Sequence, residues 1–201
     1  MKERVLEKRL FDVSKQAEII EVILIGLLAF LTPLIVPQLL NLIFGSGIGS
    51  YSQYIVGTIV NSALIVAGIN AKGWKKVIGI VTLPSLSALT SGLVLQTGSI
   101  YTVYMIPAIW IGNFAIIYLY KYLFIKKKFS YAISSIIAIL TKVMAIFVGY
   151  NLLLAINLIP NGSVVAKTLY TAMGMNQLIT ALLGSVLAFG IVRLIYRKNI
   201  K

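Results

Sequence analysis

The sequence of 201 residues contains no cysteine and no histidine. Without cysteine, the chain cannot form a disulfide, hold an iron–sulfur cluster or use a thiol as nucleophile. Without histidine, it lacks the commonest metal ligand and general base. It has only five acidic residues, all within its first 21 positions. Paired-carboxylate catalysis, metal binding and carboxylate proton relays are therefore disfavoured, and we expect neither an enzyme nor a cofactor. The acids are Glu3, Glu7, Asp12, Glu18 and Glu21.

Apolar side chains are present in excess. They make up 59% of the residues and give a mean hydropathy of +0.97, whereas a soluble domain is usually about 45–50% apolar. Because a soluble core of this length cannot bury that excess, a bilayer is the natural solvent. One helix needs about 20 apolar residues to cross it. The sequence predicts an all-α integral membrane protein with six transmembrane helices at residues 18–44, 54–70, 77–95, 100–122, 131–159 and 172–196.

The domain organisation follows from these spans. Residues 1–17 resemble an amphipathic helix that lies on the cytoplasmic membrane surface. Residues 18–196 form a single transmembrane domain whose connections contain turn-forming Gly, Ser, Pro and Asn. Residues 197–201 form a basic cytoplasmic tail. The third of the outer connections is the longest, and we interpret it as a loop between spans five and six.

The positive charges decide the orientation. All but two of the 18 basic residues lie in the N-terminal segment, after span two, after span four or at the C-terminal end. By the positive-inside rule, both termini are then cytoplasmic. The net charge of +13 is explained by membrane sidedness and contact with anionic lipid, so we expect no nucleic-acid partner. The composition is that of a multi-pass membrane protein. The two exceptions are Lys142 and Lys167.

Lys142 lies inside the apolar run AILTKVMAIF. At about 1.5 Å per residue, it is roughly 16 Å into span five, near the middle of a membrane. Burying its charge is costly unless water, a partner or a ligand compensates it, and its stem is too short to reach the interface from there. Since no acidic residue follows Glu21, we expect Lys142 to face a cavity as the anchor for a carboxylate, phosphate or carbonyl group.

Other polar and aromatic side chains at membrane depth are candidates for the same substrate-binding site. We predict that amides hydrogen-bond the ligand and that an indole stacks on it. Among them, Asn157 lies at the edge of the helical face that carries Lys142, nearer the outer end of span five. The alternative is that the amides only hydrogen-bond between helices. The candidate residues besides Lys142 are Asn61, Trp110, Asn113, Asn157, Asn176 and Gln177.

Small residues and prolines leave two further interpretations open. Two spans carry pairs of small residues that are four positions apart: Gly184 and Ala188 in span six, and Ser87 and Ser91 in span three. This spacing allows close helix packing, either within the chain or against another subunit. The prolines of spans one and three either kink the helices for packing or act as hinges near a ligand.

Several segments resemble a known family. VNSALIVAG, PSLSALTSG, MIPAIWIGN, the span-five lysine and MNQLITALLGSVLAFG are similar to the substrate-binding S components of energy-coupling factor (ECF) transporters. They are closest to uncharacterised six-helix bacterial proteins that are sometimes labelled iron hydrogenase, a label that the missing cysteines contradict. The resemblance covers roughly residues 55–190. It implies a six-helix bundle that binds a vitamin-like compound and docks on a membrane coupling subunit with two ABC-type ATPases.

The resemblance leaves the docking helix open. Many S components carry an alanine-rich face on their first helix, whereas span one here has only Gly26 and Ala29 as small residues. No phosphate-binding loop is visible, so another subunit must supply ATP hydrolysis. We expect this chain to be the substrate-binding subunit of an ECF-type importer for a small neutral or anionic compound. The alternative is a structural or assembly subunit of a bacterial membrane complex, without a small-molecule ligand.

Overall fold

Helices make up most of the described part of the chain. The computed structural model describes residues 15–45, 49–71, 74–95 and 99–197, and it contains no strand within them. The all-α prediction is therefore confirmed for these residues. The predicted amphipathic segment lies outside them except for its last three positions, which open the first helix, and the tail beyond residue 197 also lies outside them. The helices are α1 Lys15–Phe44, α2 Gly49–Asn70, α3 Trp74–Ser91, α4 Ile100–Leu119, α5 Tyr131–Ala155, α6 Val164–Met173 and α7 Met175–Arg197.

Five stretches of the described residues are long and apolar enough to cross a membrane. A sixth apolar helix, Val77–Ser91, is shorter. Length and composition thus fit a multi-pass membrane protein with five or six spanning helices. The five stretches are Val22–Phe44, Tyr51–Asn70, Ile100–Lys126, Tyr131–Ala155 and Val164–Leu194.

The predicted third span is shorter than expected because α3 ends at Ser91 rather than near residue 95. Gly92 follows with φ of 68°, a left-handed conformation that glycine adopts without steric cost. The Leu93 amide then donates to Ala88 O at 3.4 Å. This is the six-residue closure of a Schellman motif, which satisfies an end carbonyl and stops the helix.

The predicted fifth span is also too long, and the connection after it is not a simple loop. Helix α5 ends at Ala155, and Asn157 has φ of 58°, so the chain turns away there. The ten-residue helix α6 follows. Its N-terminal cap is Ser163, whose hydroxyl accepts from the Ala166 amide at 3.1 Å. Capping by serine satisfies an otherwise unpaired amide. Ser163 is the signal in the sequence from which this helix could have been predicted.

Helix α4 continues beyond its predicted end as a π-helix, Tyr120–Lys126. The wider turn accompanies a fully buried Tyr120, whose hydroxyl donates to Ser135 Oγ at 2.7 Å and lies 3.0 Å from Ser185 Oγ. Tyr131 OH donates to Ser185 O at 2.7 Å. These four residues form a polar cluster that joins α4, α5 and α7 at one end of the bundle.

The outer surface of the bundle is apolar, and much of the polarity is inside. Leu24, Leu42, Met144 and Val186 on the outer faces of α1, α5 and α7 are exposed, with Leu42 at 83%. The interior holds Asn61, Asn113, Lys142 and other polar residues, all buried. A water-soluble protein rarely exposes contiguous apolar surface of this extent. The arrangement fits a lipid environment.

Helices α2 and α7 are the most closely packed pair. A Cβ placed on Gly184 would lie 2.6 Å from Asn61 Cβ and 2.9 Å from Thr58 O, so the two backbones approach because this residue has no side chain. Ala181 and Ala188, one turn to either side, are fully buried. The small-residue face of α7 is therefore used for packing within the chain.

Three of the other small residues considered for docking, Gly26, Ala29 and Ser87, also point inward. Ala29 is fully buried, and a Cβ on Gly26 would lie 3.6 Å from Leu83 of α3. Ser87 is fully buried as well, and its hydroxyl donates to Phe30 O of α1. These residues join α1 to α3.

A substitution tests the contact between α2 and α7. We expect Gly184→Ala to destabilise the protein by about 1–3 kcal/mol, since the added methyl group would overlap backbone atoms that cannot move independently. The measurement is the midpoint of thermal unfolding in mild detergent. Gly190→Ala on the same helix is the matched control, because nothing lies within 4 Å of its added Cβ. Equal midpoints for the two variants would contradict the assigned packing.

Candidate functional site

A pocket of about 90 Å³ lies inside the bundle. It is partly open and is lined by residues of α1–α5, by Met173 at the end of α6, by the start of α7, and by Leu93 and Val94 just after α3. We call the end of the bundle that carries the α1–α2, α3–α4 and α5–α6 connections the pocket end. The opposite end carries Lys126, Lys127, Lys128 and Arg193, and we call it the basic end.

The floor of the pocket is formed by three polar side chains from three helices. With a rise of about 1.5 Å per residue, Asn61, Asn113 and Lys142 each lie about 20 Å along their helices from the pocket end. All three are buried and line the pocket. Residues far apart in the sequence therefore meet at one depth.

Lys142 has one hydrogen-bond partner among the described residues. Its ammonium group, 2% exposed by residue, donates to Asn61 Oδ1 at 2.5 Å. An ammonium group has three N–H donors, so two remain for whatever occupies the pocket. No acidic residue follows Glu21, which lies about 18 Å along α1 from the pocket residue Pro33 by helix rise. Lys142 thus has an amide partner and no ion pair from the described side chains.

A chain of hydrogen bonds holds Asn61 in place. Its amide nitrogen donates to Gly57 O at 2.8 Å and to Thr180 Oγ1 at 3.2 Å, and Thr180 donates to Asn176 O at 2.7 Å. Both amide hydrogens of Asn61 are used, so its oxygen is fixed toward Lys142. The position of the lysine partner is therefore set by contacts between α2 and α7.

The rim of the pocket carries further amides. Asn176 accepts from Tyr54 OH at 2.9 Å and donates to Gln53 Oε1 at 2.8 Å. Gln177 also lines the pocket, and its side chain forms no hydrogen bond with the described residues. At the rim, the amides of Asn176 and Gln53 therefore form a hydrogen bond between helices, whereas the amide of Gln177 is available to a ligand.

Two prolines lie beside the pocket, and a carbonyl near each is used by another helix. Pro33 and Pro84 line the pocket. Three residues before them, Phe30 O accepts from Ser87, and Val81 O accepts from Asn113 Nδ2 at 3.1 Å. Proline disturbs the preceding helical turn, and neighbouring side chains in membrane bundles satisfy the freed backbone groups.

The structure brings five of the seven predicted site residues to the pocket, namely Lys142, Asn113, Asn61, Asn176 and Gln177. The other two, Trp110 and Asn157, do not line it.

Trp110 lies behind the pocket wall. Its indole nitrogen donates to Ser85 Oγ at 2.6 Å, and Ser85 lines the pocket. The predicted stacking of this indole on a ligand therefore does not fit the observed arrangement, since a serine stands between them.

Asn157 is exposed in the turn after α5, so its predicted place on the face of Lys142 is wrong. The prediction extended the helix to residue 159, four residues beyond its actual end at Ala155.

Sequence reasoning missed Gln53 and Ser85, and it left open whether the prolines of spans one and three lie near a ligand. Gln53 had been assigned to a loop, but α2 begins at Gly49, which places Gln53 on the helix that carries Asn61. Two turns of helix separate these residues, a spacing that puts both on one face. The signal was present, but the glycine- and serine-rich stretch before Gln53 concealed the helix start.

No family model, curated protein or solved structure matches the chain. The chemistry of the pocket must be read from the residues themselves. Within the described residues, no group of three or more His, Cys, Asp or Glu could hold a metal ion. What the site offers is a cationic donor in an otherwise uncharged, largely apolar interior.

A double-mutant cycle tests the bond between Lys142 and Asn61. We expect Asn61→Leu to destabilise the protein by about 2–4 kcal/mol, because it leaves a buried ammonium group without an acceptor. Adding Lys142→Met should recover part of that loss, since the charge is then removed. The measurement is the unfolding free energy in mixed detergent micelles. Strictly additive effects of the two substitutions would show that the side chains do not interact.

Proposed function

We propose that the protein is a membrane substrate-binding subunit, an S component of an ATP-driven ECF-type importer, and that it captures a small neutral or anionic vitamin-like compound. The observation that carries this proposal is the ammonium group of Lys142 at the floor of a pocket, with two donors unused. A buried lysine in a membrane bundle marks a functional site by default. The sequence resemblance points to the same class of protein.

The proposed topology has six spans, α1 to α5 and α7, with both termini in the cytoplasm of a bacterium. The basic end then faces the cytoplasm and anionic lipid. Its exposed Lys126, Lys127 and Lys128 support this orientation. The pocket lies toward the opposite end, where Lys167 is the one basic residue described on the connections. A ligand would accordingly enter from outside the cell.

The volume of the pocket limits the size of the ligand that it can enclose. A cavity of about 150 Å³ accommodates benzene, and the volume here is about 90 Å³. A vitamin-sized compound therefore requires the pocket to widen or the ligand to project through its opening. Leu93 and Val94, which follow the end of α3, and Gln53 on α2 line the pocket toward the pocket end.

The partners follow from what the chain lacks. It has no phosphate-binding loop and no acid beyond Glu21 to hold magnesium, so ATP chemistry must come from other chains. We propose a membrane coupling subunit and two ABC-type ATPases. Because the small residues of α1, α3 and α7 considered above pack internally, docking would use the exposed apolar faces of the helices.

A second candidate is a structural or assembly subunit without its own ligand. The observation that favours it is that Asn61 and Asn176 already hydrogen-bond across α2 and α7. Interhelical amide bonds of this kind stabilise membrane bundles without any ligand. The two candidates differ in whether the free donors of Lys142 and Gln177 bind a compound.

Affinity purification distinguishes the two candidates. The tagged protein would be extracted from bacterial membranes in gentle detergent, and the retained proteins and metabolites identified by mass spectrometry. We expect a second membrane protein, an ATPase pair and a bound small molecule. Recovery of a different membrane complex without a small molecule would favour the assembly role and contradict the importer.

Cysteine labelling tests the orientation. Because the chain contains no cysteine, single substitutions need no background correction. We expect Asn161→Cys, in the exposed turn before α6, to react with a membrane-impermeant maleimide on intact cells. Its matched counterpart at the basic end, Lys127→Cys, should react only after permeabilisation. The reverse pattern would overturn the proposed topology.

A further inference from the structure

Lys142 is the one ionisable side chain among the described residues that line the pocket. The exposed Lys167 of α6 does not line the pocket, and the other described bases lie at the basic end. In a medium of low dielectric constant, an uncompensated charge is strongly unfavourable. A ligand with a single negative charge neutralises the site, whereas a dianion leaves a net negative charge and a cation adds a second positive one.

The donors at the floor are few and can be counted. Both amide hydrogens of Asn61 are used by Gly57 O and Thr180 Oγ1. The hydroxyl of Thr180 donates to backbone carbonyls of α7, and that of Ser85 donates to Thr82 O. Asn113 Nδ2 donates to Val81 O at 3.1 Å, so one of its two amide hydrogens also remains. The floor therefore offers an anion the two remaining donors of Lys142 and one of Asn113, and the two oxygens of a carboxylate have enough lone pairs to accept all three.

The walls above the floor are apolar. They are formed by side chains of α1 to α4 that cannot hydrogen-bond to a ligand. A hydroxylated or highly polar ligand body would lose its hydration there without gaining partners. The apolar wall residues include Pro33, Val56, Val60, Pro84, Ala88 and Ile109.

The dimensions limit the size of the body. Gln53 at the rim and Asn61 at the floor are about 12 Å apart along α2 by helix rise. The enclosed volume of about 90 Å³ is smaller than the cavity that accommodates benzene. The pocket is therefore narrow, and it suits a slender chain of a few carbon atoms.

We infer that the pocket binds a monocarboxylate with a short apolar body, its carboxylate innermost on Lys142 Nζ and its body between the proline and valine walls. This inference rests on the proposed function and narrows it from neutral or anionic compounds to one ligand class. Gln177 at the rim is left to hydrogen-bond any polar group at the other end of the ligand.

Trp110 provides a direct readout. It donates to the pocket residue Ser85, and the chain has two tryptophans. In a Trp74→Phe background, the fluorescence of the purified protein in detergent then reports on the pocket wall alone. The probes are acetate, propionate, butyrate and hexanoate. Butyramide, butylamine and inorganic phosphate are the controls for charge and shape.

We expect a saturable change with butyrate and an affinity that rises about fourfold per methylene group until the pocket is full. Butyramide should bind at least about tenfold more weakly, since it lacks the charge-assisted bond. Lys142→Gln keeps a donor for Asn61 and should abolish the preference for butyrate over butyramide. Lys167→Gln, which removes an exposed lysine outside the pocket, should leave that preference intact.

The outcomes separate this inference from the proposed function. If butyramide or phosphate binds as tightly as butyrate, the pocket still binds ligands but the monocarboxylate assignment is overturned. If no probe binds while the importer subunits co-purify with the protein, the assignment falls and the importer role stands. If Lys142→Gln does not fold, thermal stabilisation of the unaltered protein by butyrate against butyramide decides the same question.

Discussion

The hydrogen bond between Lys142 and Asn61 constrains much of the bundle. An ammonium group in an apolar interior needs an acceptor, and an amide oxygen meets that need only if the amide is held in one orientation. Thr180 and Gly57 O hold it, which requires α2 and α7 to approach closely at a fixed register. Gly184 allows that approach. Gly184 on α7 therefore helps to position Asn61, the hydrogen-bond acceptor of the buried Lys142 on α5.

The same bonds serve two purposes, and neither excludes the other. Interhelical amide bonds give a membrane bundle a specific register where hydrophobic driving force between helices is weak. They also fix the direction in which the remaining donors of Lys142 point. In the proposed substrate-binding role, a site preorganised in this way would need little rearrangement when a ligand arrives, and binding energy would not be spent on ordering side chains. The hydrogen-bond network that stabilises the bundle would then also recognise the ligand.

Much of the fold and part of the site could be predicted from the sequence. Hydropathy predicts the helices because the solvent is apolar, and a polar residue within an apolar run stands out, as Lys142, Asn61 and Asn113 do. Helix ends were predicted less well, because they depend on local backbone conformations such as φ of 68° at Gly92 and 58° at Asn157. The early start of α2 hid Gln53. The place of Trp110 behind Ser85 depends on tertiary packing, which no single-helix pattern contains.

The carbonyls near Pro33 and Pro84 have a mechanical consequence. Phe30 O and Val81 O are each held by a side chain from another helix, on the cytoplasmic side of each proline in the proposed orientation. Val81 O is held from α4, by Asn113, whereas Phe30 O is held by Ser87, which lies beyond Pro84 on the outer half of α3. A bend of α3 at Pro84 would therefore displace the hydrogen-bond donor of Phe30 O. Movement of the outer half of α3 would in this way be transmitted to α1 just before Pro33.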